Sequence, residues 1–512
     1  MNTPNAGYCQ RLAGKVLDGF RRLPIMGIMR HLLANLSARP VWLIVLLGLA
    51  VNLSGTWLLP LIDRDEPRFV EASREMGERS DAVVPFFNGA PRYDKPPLIY
   101  WAQHLSSRVF GESPFAARLP SALFATGTAC LIFFWGRRLT PPRAALAAAL
   151  IFMTCGQMAI HARLAVADMP MLFFFTAACW SGWEMTRPDA TRRAGWWTLF
   201  YVSLALGFLA KGPIAWLPLG GLLLGRWRQP RQFNFSLASC AGGLLLTLVL
   251  VGLWGIPALL QTHGDFLRVG LGYHVVFRSF GVLDGHGAGG VLGWIALSPI
   301  FFITFFLSFF PWAWRVPGGL RRWWPHRHTD VAGWYLLTQA GLVFLVFSII
   351  RTKLPHYTLP AFPCLALWLA TMAEDGRMPG LHAARSSGLM AGAIVTVTLA
   401  MGLTLRPYFV AHALFEKARP QLQPDMRIAS VQFNEPSVVW EFRQILTNDV
   451  EFLASNAATN FFQAGQPAIL ILPTALYESN RTNWPGNLAV VQAEGVNWSR
   501  FQQAKLTALI RR

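Results

Sequence analysis

The chain contains 512 residues, of which 53% are hydrophobic, 13% aromatic and only 14% charged. This composition excludes a typical soluble enzyme, because hydrophobic runs of roughly 20 residues, the length that crosses a bilayer, recur from Val41 to Leu405. The net charge of +19 would suit a nucleic acid, but the positive residues cluster in short loops, as cytoplasmic connections do. We therefore predict an all-α polytopic membrane protein that contacts membrane lipids and no nucleic acid.

The hydrophobic spans follow a basic N-terminal arm. Residues 1–40 lead into the first span without a cleavage site, which predicts an uncleaved signal anchor and a cytoplasmic arm. Loops after the even-numbered spans carry the arginines and are predicted to be cytoplasmic. The long loops 61–116 and 259–290 would then be external, which means periplasmic for a bacterial inner membrane. About eleven spans are expected, at roughly 41–60, 117–136, 142–158, 168–186, 195–210, 212–226, 237–258, 291–313, 331–350, 355–373 and 388–405.

The composition changes after Arg406. Polar and aliphatic residues mix there, and the short apolar runs 468–472 and 488–491 indicate β-strands. We expect a small soluble α/β domain over 406–512 on the external side, without a recognisable catalytic motif. The predicted organisation is therefore an arm (1–40), a transmembrane catalytic domain (41–405) and this C-terminal domain.

A charged stretch, Asp-Glu-Pro-Arg at 65–68, directly follows the first span. Asp65 can cap a helix and Pro67 suits its first turn, and hydrophobic residues then recur at helical spacing. One interpretation is a capped helix that lies on the membrane surface. The other is a catalytic site, because Asp65 and Arg68 share a helix face. A carboxylate beside a guanidinium stays ionised and can accept a proton from an attacking hydroxyl.

A second charged pair, Asp94 and Lys95, stands before two prolines that restrain the turn. The pair could be a solvated aspartate beside a lysine that extends to the membrane surface. It could also be a phosphate-binding lysine with an acid that ligates a cation.

Further polar residues stand at the predicted external ends of spans. Asp168 begins one span and could simply cap its helix, and Lys211 occupies a tight turn between two spans. Lys353 and Tyr357 are four residues apart, which would direct an ammonium and a phenol to one place; the alternative is a membrane-surface lysine and an interfacial tyrosine.

The external loop 259–290 contains His274 and Arg278, four residues apart, at a spacing that fits no standard zinc motif. All these residues map to one side of the membrane. Converging cations suit an anionic group and the carboxylates suit an acceptor that loses a proton, so a lipid-linked phosphate at the external interface would satisfy both.

In order and spacing, these motifs resemble the protein O-mannosyltransferase-like glycosyltransferases of the GT-C fold (families 39 and 83), a group that includes the lipid A aminoarabinose transferases. The resemblance covers roughly residues 40–370. It rests on Asp65-Glu66-x-Arg68, Ala72-Ser73-Arg74-Glu75-Met76, Arg92-Tyr93-Asp94-Lys95-Pro96, Asp168, Lys211-Gly212 and Lys353-Leu354-Pro355-x-Tyr357.

The resemblance implies an enzyme that transfers a sugar from a polyprenyl-phosphate donor to a hydroxyl or phosphate outside the cytoplasmic membrane, with no nucleotide cofactor. The acceptor would be a glycolipid such as lipid A or its core, another glycan, or a protein. Asp65 would be the general base, with Asp168 as a second catalytic carboxylate. Asp94 and His274 would bind a divalent metal cation. The donor phosphate would be held by Arg68, Lys95, Lys211, Arg278, Lys353 and Tyr357.

Two other classes of function stay open at this point. A flippase or transporter of lipid-linked sugars would need charges or broken helices at the bilayer midplane, whereas the charges here gather at one surface. A noncatalytic membrane scaffold would only present the C-terminal domain.

Overall fold

A computed structural model describes residues 39–233, 235–277, 299–378, 383–463 and 465–512, without the side chains of 274–277. Before residue 406 the described part of the chain is mostly helical. In chain order the helices are α1 (Pro40–Leu53), α2 (Asp65–Glu78), α3 (Leu98–Phe110), α4 (Pro114–Leu139), α5 (Pro142–Met153), α6 (Gly156–His161), α7 (Asp168–Thr186), α8 (Arg193–Lys211), α9 (Leu217–Arg228), α10 (Leu237–Gln261), α11 (Ile300–Ser308), α12 (Val316–Trp323), α13 (Val331–Ile349), α14 (Phe362–Glu374) and α15 (Ala383–Leu405).

Each of the eleven predicted spans overlaps a helix within the described residues, but the number of crossings stays a prediction. Among the described residues, four helices are long and apolar enough to cross a bilayer, namely α4, α10, α13 and Ala383–Tyr408. The segments Ile300–Ser308 and Trp312–His326, which meet at 115°, would together form a fifth span. Other predicted spans are interrupted at prolines, which remove backbone donors; Pro213 and Pro355 both open 3₁₀ turns.

The buried core of the transmembrane part lies between α4, α5, α7, α8 and α14. Trp135 of α4 and Trp368 of α14 are completely buried there. Small residues let α4 and α5 approach closely, because a Cβ added to Gly136 would lie 3.0 Å from the Cβ of Ala145. This packing brings the ends of α7 and α8 together, which matters for the site below.

Helix α2 packs against protein on its apolar face. Phe69, Ala72 and Met76 recur at helical spacing as predicted, but they contact α3 and residues 166–167. The expectation of an apolar face lying on lipid is therefore wrong. The predicted cap is also displaced by one residue: Arg64 holds the N-cap position without a side-chain bond, and Asp65 is the first residue of the helix. A short hairpin of β1 (Phe86–Phe87) and β2 (Ala90–Pro91) separates α2 from α3.

The C-terminal segment, residues 406–512, contains the predicted mixed α/β structure. Its helices are α16 (Val410–Ala418), α17 (Pro436–Phe442) and α18 (Thr474–Ser479). Its strands are β3 (Arg427–Val431), β4 (Val450–Leu453), β5 (Ala468–Pro473), β6 (Ala489–Asn497) and β7 (Gln502–Arg511). They form one sheet in the order β4-β3-β5-β7-β6, in which β3 is parallel to both neighbours and β7 is antiparallel to both.

Candidate active site

A largely apolar cavity of about 500 Å³ opens between α7, α8, α10 and the C-terminal end of α13. Side chains such as Phe208, Trp254 and Phe266 form its walls. Its lining also includes polar residues that the sequence placed at the ends of four different elements, namely Asp94, Lys95, Asp168, Lys211 and Tyr357, together with His356. The shape and chemistry suit a long apolar chain that ends in an anion.

Asp168 and Lys211 form an ion pair in the lining of this cavity. Asp168 is the first residue of α7 and Lys211 is the last residue of α8, so the packing of these neighbouring helices joins them at 2.5 Å. An acid at a helix N-terminus and a cation at a helix C-terminus also complement the two helix dipoles. The Lys211 ammonium lies 5.8 Å from the centre of the Tyr357 ring. The lining of the cavity therefore includes a cation that is held in place by an ion pair.

Two histidines that the sequence pattern did not single out lie beside this pair. The ring centres of His161 and His356 lie 4.8 Å apart with the rings tilted by 35°. Their ring nitrogens and the Asp168 carboxylate lie within 4.8 Å of one another. Burial lowers the pKa of His161, so its ring is neutral at physiological pH despite the nearby Asp168. These three groups could hold a metal ion, but the Lys211 ammonium already contacts the Asp168 oxygen.

Asp94 faces the same cavity from the turn before α3. Its carboxylate pairs with Arg92 at 2.8 Å, and Arg92 also donates to the Tyr100 hydroxyl at 3.1 Å. The Arg92 guanidinium lies over the Phe69 ring of α2, 5.2 Å from its centre. Although burial opposes it, contact with Tyr100 and Asp94 raises the pKa of Arg92. The Lys95 ammonium donates to the backbone oxygen of Asp94 at 3.1 Å, which helps define the turn.

Asp65 is exposed at the start of α2 and lies close to these charges. Burial and the neighbouring Arg92 lower the pKa of Arg68, whereas Asp65 and Asp94 act in the opposite direction. The same Asp65 charge acts on Arg92 and His161. Asp65 does not line the cavity, and neither do Arg68, Arg92 and His161, the groups on which its charge acts. Arg92 is linked to the cavity through its ion pair with Asp94.

The position of Asp65 depends on its neighbour Glu66, to which the sequence assigned no role. Glu66 is buried and accepts two bonds from Arg118 of α4, at 2.7 and 2.8 Å, and backbone bonds from Ile62 and Ala165. Arg118 also donates to three carbonyl oxygens in residues 56–60. Arg118 is a charged residue inside the predicted span 117–136, and this was the signal that could have identified the pair.

The structure does not bring Lys353 to the cavity with Tyr357. Tyr357 lines the cavity and packs on Phe347 at 4.6 Å. The Lys353 ammonium instead donates to the carbonyl oxygens of Phe347 and Ser348 at the end of α13, at 2.9 and 2.7 Å. Burial lowers the pKa of Lys353 to about 8. Its role at the phosphate stays a prediction, and both the His274 side chain and Arg278 lie outside the described residues.

Comparison with known proteins places the chain in a family. Residues 94–254 match the family model described as dolichyl-phosphate-mannose-protein mannosyltransferase. The chain is 32% identical to the undecaprenyl phosphate-alpha-4-amino-4-deoxy-L-arabinose arabinosyl transferase of Edwardsiella ictaluri over 374 residues, which are 70% of this chain and 66% of that protein. It is 30% identical to transferase 2 of the same description from Sodalis glossinidius over 380 residues, 71% of this chain and 67% of that protein.

The fold agrees with these relatives. The crystal structure of ArnT from Cupriavidus metallidurans in the apo state superposes with a TM-score of 0.74 at 18% identity, covering 92% of this chain and 98% of that chain. The part of the chain that matches the curated relatives spans about two thirds of their length. The chain belongs to this family of polyprenyl-phosphate-dependent glycosyltransferases and shares its GT-C fold.

Proposed function

We propose that this protein transfers 4-amino-4-deoxy-L-arabinose from undecaprenyl phosphate to a glycolipid, lipid A or its core, at the periplasmic face of the inner membrane. The names of the relatives supply the sugar and the carrier, and the ArnT of Cupriavidus metallidurans has been crystallised bound to undecaprenyl phosphate. The observation that carries the proposal is the largely apolar cavity whose lining includes Asp94, Lys95, Asp168, Lys211 and Tyr357.

The cavity suits the donor in two ways. Its apolar walls remove isoprenoid surface from water, at about 25 cal/mol for each Å² buried. The ammonium groups of Lys95 and Lys211 offset the charge of the phosphate, with Arg68 contributing from α2. This charge grows when the sugar leaves, so cations held in advance stabilise the transition state more than the bound donor.

Asp65 would act on the acceptor. The bond between the sugar anomeric carbon and the donor phosphate oxygen breaks, and a bond to the acceptor oxygen forms. A hydroxyl acceptor gives its proton to the Asp65 carboxylate, and polyprenyl phosphate leaves with the bonding electrons. A phosphate acceptor is already ionised and needs no base, in which case Asp65 orients it through Arg68.

The divalent cation implied by the resemblance would be held by Asp94 together with His274 and would neutralise phosphate charge. The Asp94 side chain is 27% exposed and lines the cavity, so a cation can reach it, although Arg92 pairs with one of its oxygens. The buried group of His161, Asp168 and His356 is a second possible donor set, and a cation there would displace Lys211.

The proposal is tested with the purified protein in lipid nanodiscs, supplied with synthetic undecaprenyl phosphate-aminoarabinose and lipid A. Wild-type protein should form modified lipid A, detected by mass spectrometry. Asp65→Asn should abolish transfer and leave donor binding intact, whereas Lys95→Ala should raise the donor KM about tenfold. Asp189→Asn, an exposed loop carboxylate paired with Arg187, serves as the matched control. Normal turnover in Asp65→Asn would refute the role of this residue.

The family description also points to a protein acceptor. A peptide acceptor in the same assay distinguishes the two: glycosylated peptide without modified lipid A would exclude the glycolipid proposal. A lipid-linked sugar that moves between leaflets without any product would indicate a flippase.

A further inference from the structure

The C-terminal segment contacts helix α2 through a buried arginine. Arg443 follows α17, and its guanidinium lies 2.6 Å from Glu71, 3.0 Å from Glu75 and 3.0 Å from Glu78. These three carboxylates are spaced four and three residues apart, so they occupy one face of α2. The Glu71 side chain is fully buried and that of Arg443 is 9% exposed. A rigid planar guanidinium that binds several carboxylates fixes their orientation as well as their distance from it.

The start of α2 is attached to the same segment. The Asp63 carboxylate accepts the backbone N–H of Ser437 at 2.9 Å, and Arg64 donates to Glu435 at 3.4 Å. Glu435 is itself held by Asn497 at 3.0 Å and by Ser499 at 2.7 Å, from the end of β6 and the turn after it. The sheet of the C-terminal segment therefore supports the two residues that precede Asp65.

The next residue is held from the other side. Glu66 is bound by Arg118 of the transmembrane helix α4. Residues 63 and 64 thus contact the C-terminal segment, residue 66 contacts the transmembrane part, and Asp65 is exposed between them. From this arrangement we infer that the C-terminal segment is a positioning element for the acceptor-side carboxylate, with Arg443 and Asp63 as positioning residues. The inference rests on the proposed role of Asp65.

A separate apolar contact attaches the C-terminal segment to α2, so the effect of Arg443 on the position of α2 can be distinguished from attachment of the segment. Trp440 of α17 is buried against Val70 of α2, and the Arg74 guanidinium lies over its ring, 5.0 Å from the centre. This contact does not involve Arg443, so it holds the C-terminal segment on α2 when the Arg443 charges are removed. Variants of Arg443 then change the placement of α2 without releasing the segment.

The experiment measures donor and acceptor kinetics of Arg443→Met and Arg443→Lys in nanodiscs. Arg443→Met should lower kcat roughly tenfold or more and leave the donor KM within about threefold, because Lys95 and Lys211 are untouched. Arg443→Lys should be intermediate, since one ammonium cannot serve three carboxylates. The matched control is Arg427→Met, which removes an exposed pair with Glu451 in the same segment and should behave as wild type. Hydrogen exchange of residues 63–78 should rise in Arg443→Met and stay at the wild-type level in Arg427→Met.

Asp63 provides a second test that holds even when Arg443→Met does not fold. Asp63→Ala removes the acceptor of the Ser437 N–H and should lower kcat, whereas Asp63→Asn keeps an acceptor oxygen and should restore it. A wild-type kcat in folded Arg443→Met or in Asp63→Ala overturns the inference. An equal loss of kcat in Asp63→Ala and Asp63→Asn overturns it as well. An active Asp65→Asn refutes the proposed function itself, whereas an inactive Asp65→Asn beside normal positioning variants refutes only this inference.

Discussion

Removal of Arg118 should destabilise the protein severely, because it leaves the Glu66 carboxylate buried without its charge partner. Both side chains of this pair are at most 3% exposed, and Arg118 donates five hydrogen bonds, two to Glu66 and three to carbonyl oxygens. Breaking a buried pair from one side typically reduces stability by about 3–5 kcal/mol. Arg118→Met should fall in this range and also lower kcat, since the start of α2 loses its attachment to α4.

The sign of the Glu66→Gln effect provides the sharper test. In the wild-type background Glu66→Gln leaves Arg118 without its counter-charge and should destabilise by about 1–3 kcal/mol. In the Arg118→Met background the same change removes a buried unpaired charge and should stabilise by a similar amount. The exposed pair of Arg143, 81% exposed, with Glu374 is the matched control, and Arg143→Met should leave stability close to that of the wild type.

Unfolding of the four variants is followed by tryptophan fluorescence in mixed detergent micelles, using the 21 tryptophans of the chain. Effects of Glu66→Gln that agree within about 0.5 kcal/mol in the two backgrounds would show that the residues do not couple. An Arg118→Met variant as stable as Arg143→Met would equally refute the reasoning.

Two further predictions concern the cavity and the interface of α2. Gly255 lines the cavity and has open space around it, so Gly255→Leu should raise the donor KM about tenfold. Gly242 lies on the same helix away from the cavity and is equally unobstructed, so Gly242→Leu should leave the donor KM unchanged. Equal donor kinetics in the two variants would argue against the cavity as the donor site. Burial raises the pKa of Asp63 from 3.8 to about 7, so between these values the folded state binds a proton that the unfolded state does not. The free energy of unfolding therefore falls as the pH rises from about 4 to 7, by at most about 1.4 kcal/mol per pH unit. Asp63→Asn should therefore unfold at a higher temperature than wild type at pH 8 but not at pH 4, and parallel pH profiles of unfolding would contradict this.

The local sequence determined the secondary structure and most of the cavity's polar residues. Hydrophobic run length predicted the helices, and the run at 468–472 predicted β5, because these signals depend on neighbours within a turn or a strand. Asp94, Lys95, Asp168, Lys211 and Tyr357 could be selected as candidates because each stands at the end of an element on one predicted side of the membrane. The packing of α7 against α8 brings Asp168 and Lys211 together at the cavity, whereas the turn before α3 and the segment after α13 supply the other residues.

Only the tertiary structure decided which partner each charge takes. Glu66 and Arg118 are 52 residues apart, and Glu71 and Arg443 are 372 apart, so no local periodicity relates them. The Lys353 ammonium donates to the carbonyl oxygens at the C-terminal end of α13. These oxygens lack partners within the helix, which is a consequence of helix formation. A buried charge takes whichever partner the packing brings within reach, because leaving it unpaired is more costly than any choice of partner. The sequence therefore marked several charged residues at the ends of predicted elements, and the packing of the helices and the C-terminal segment decided which partners the charges meet.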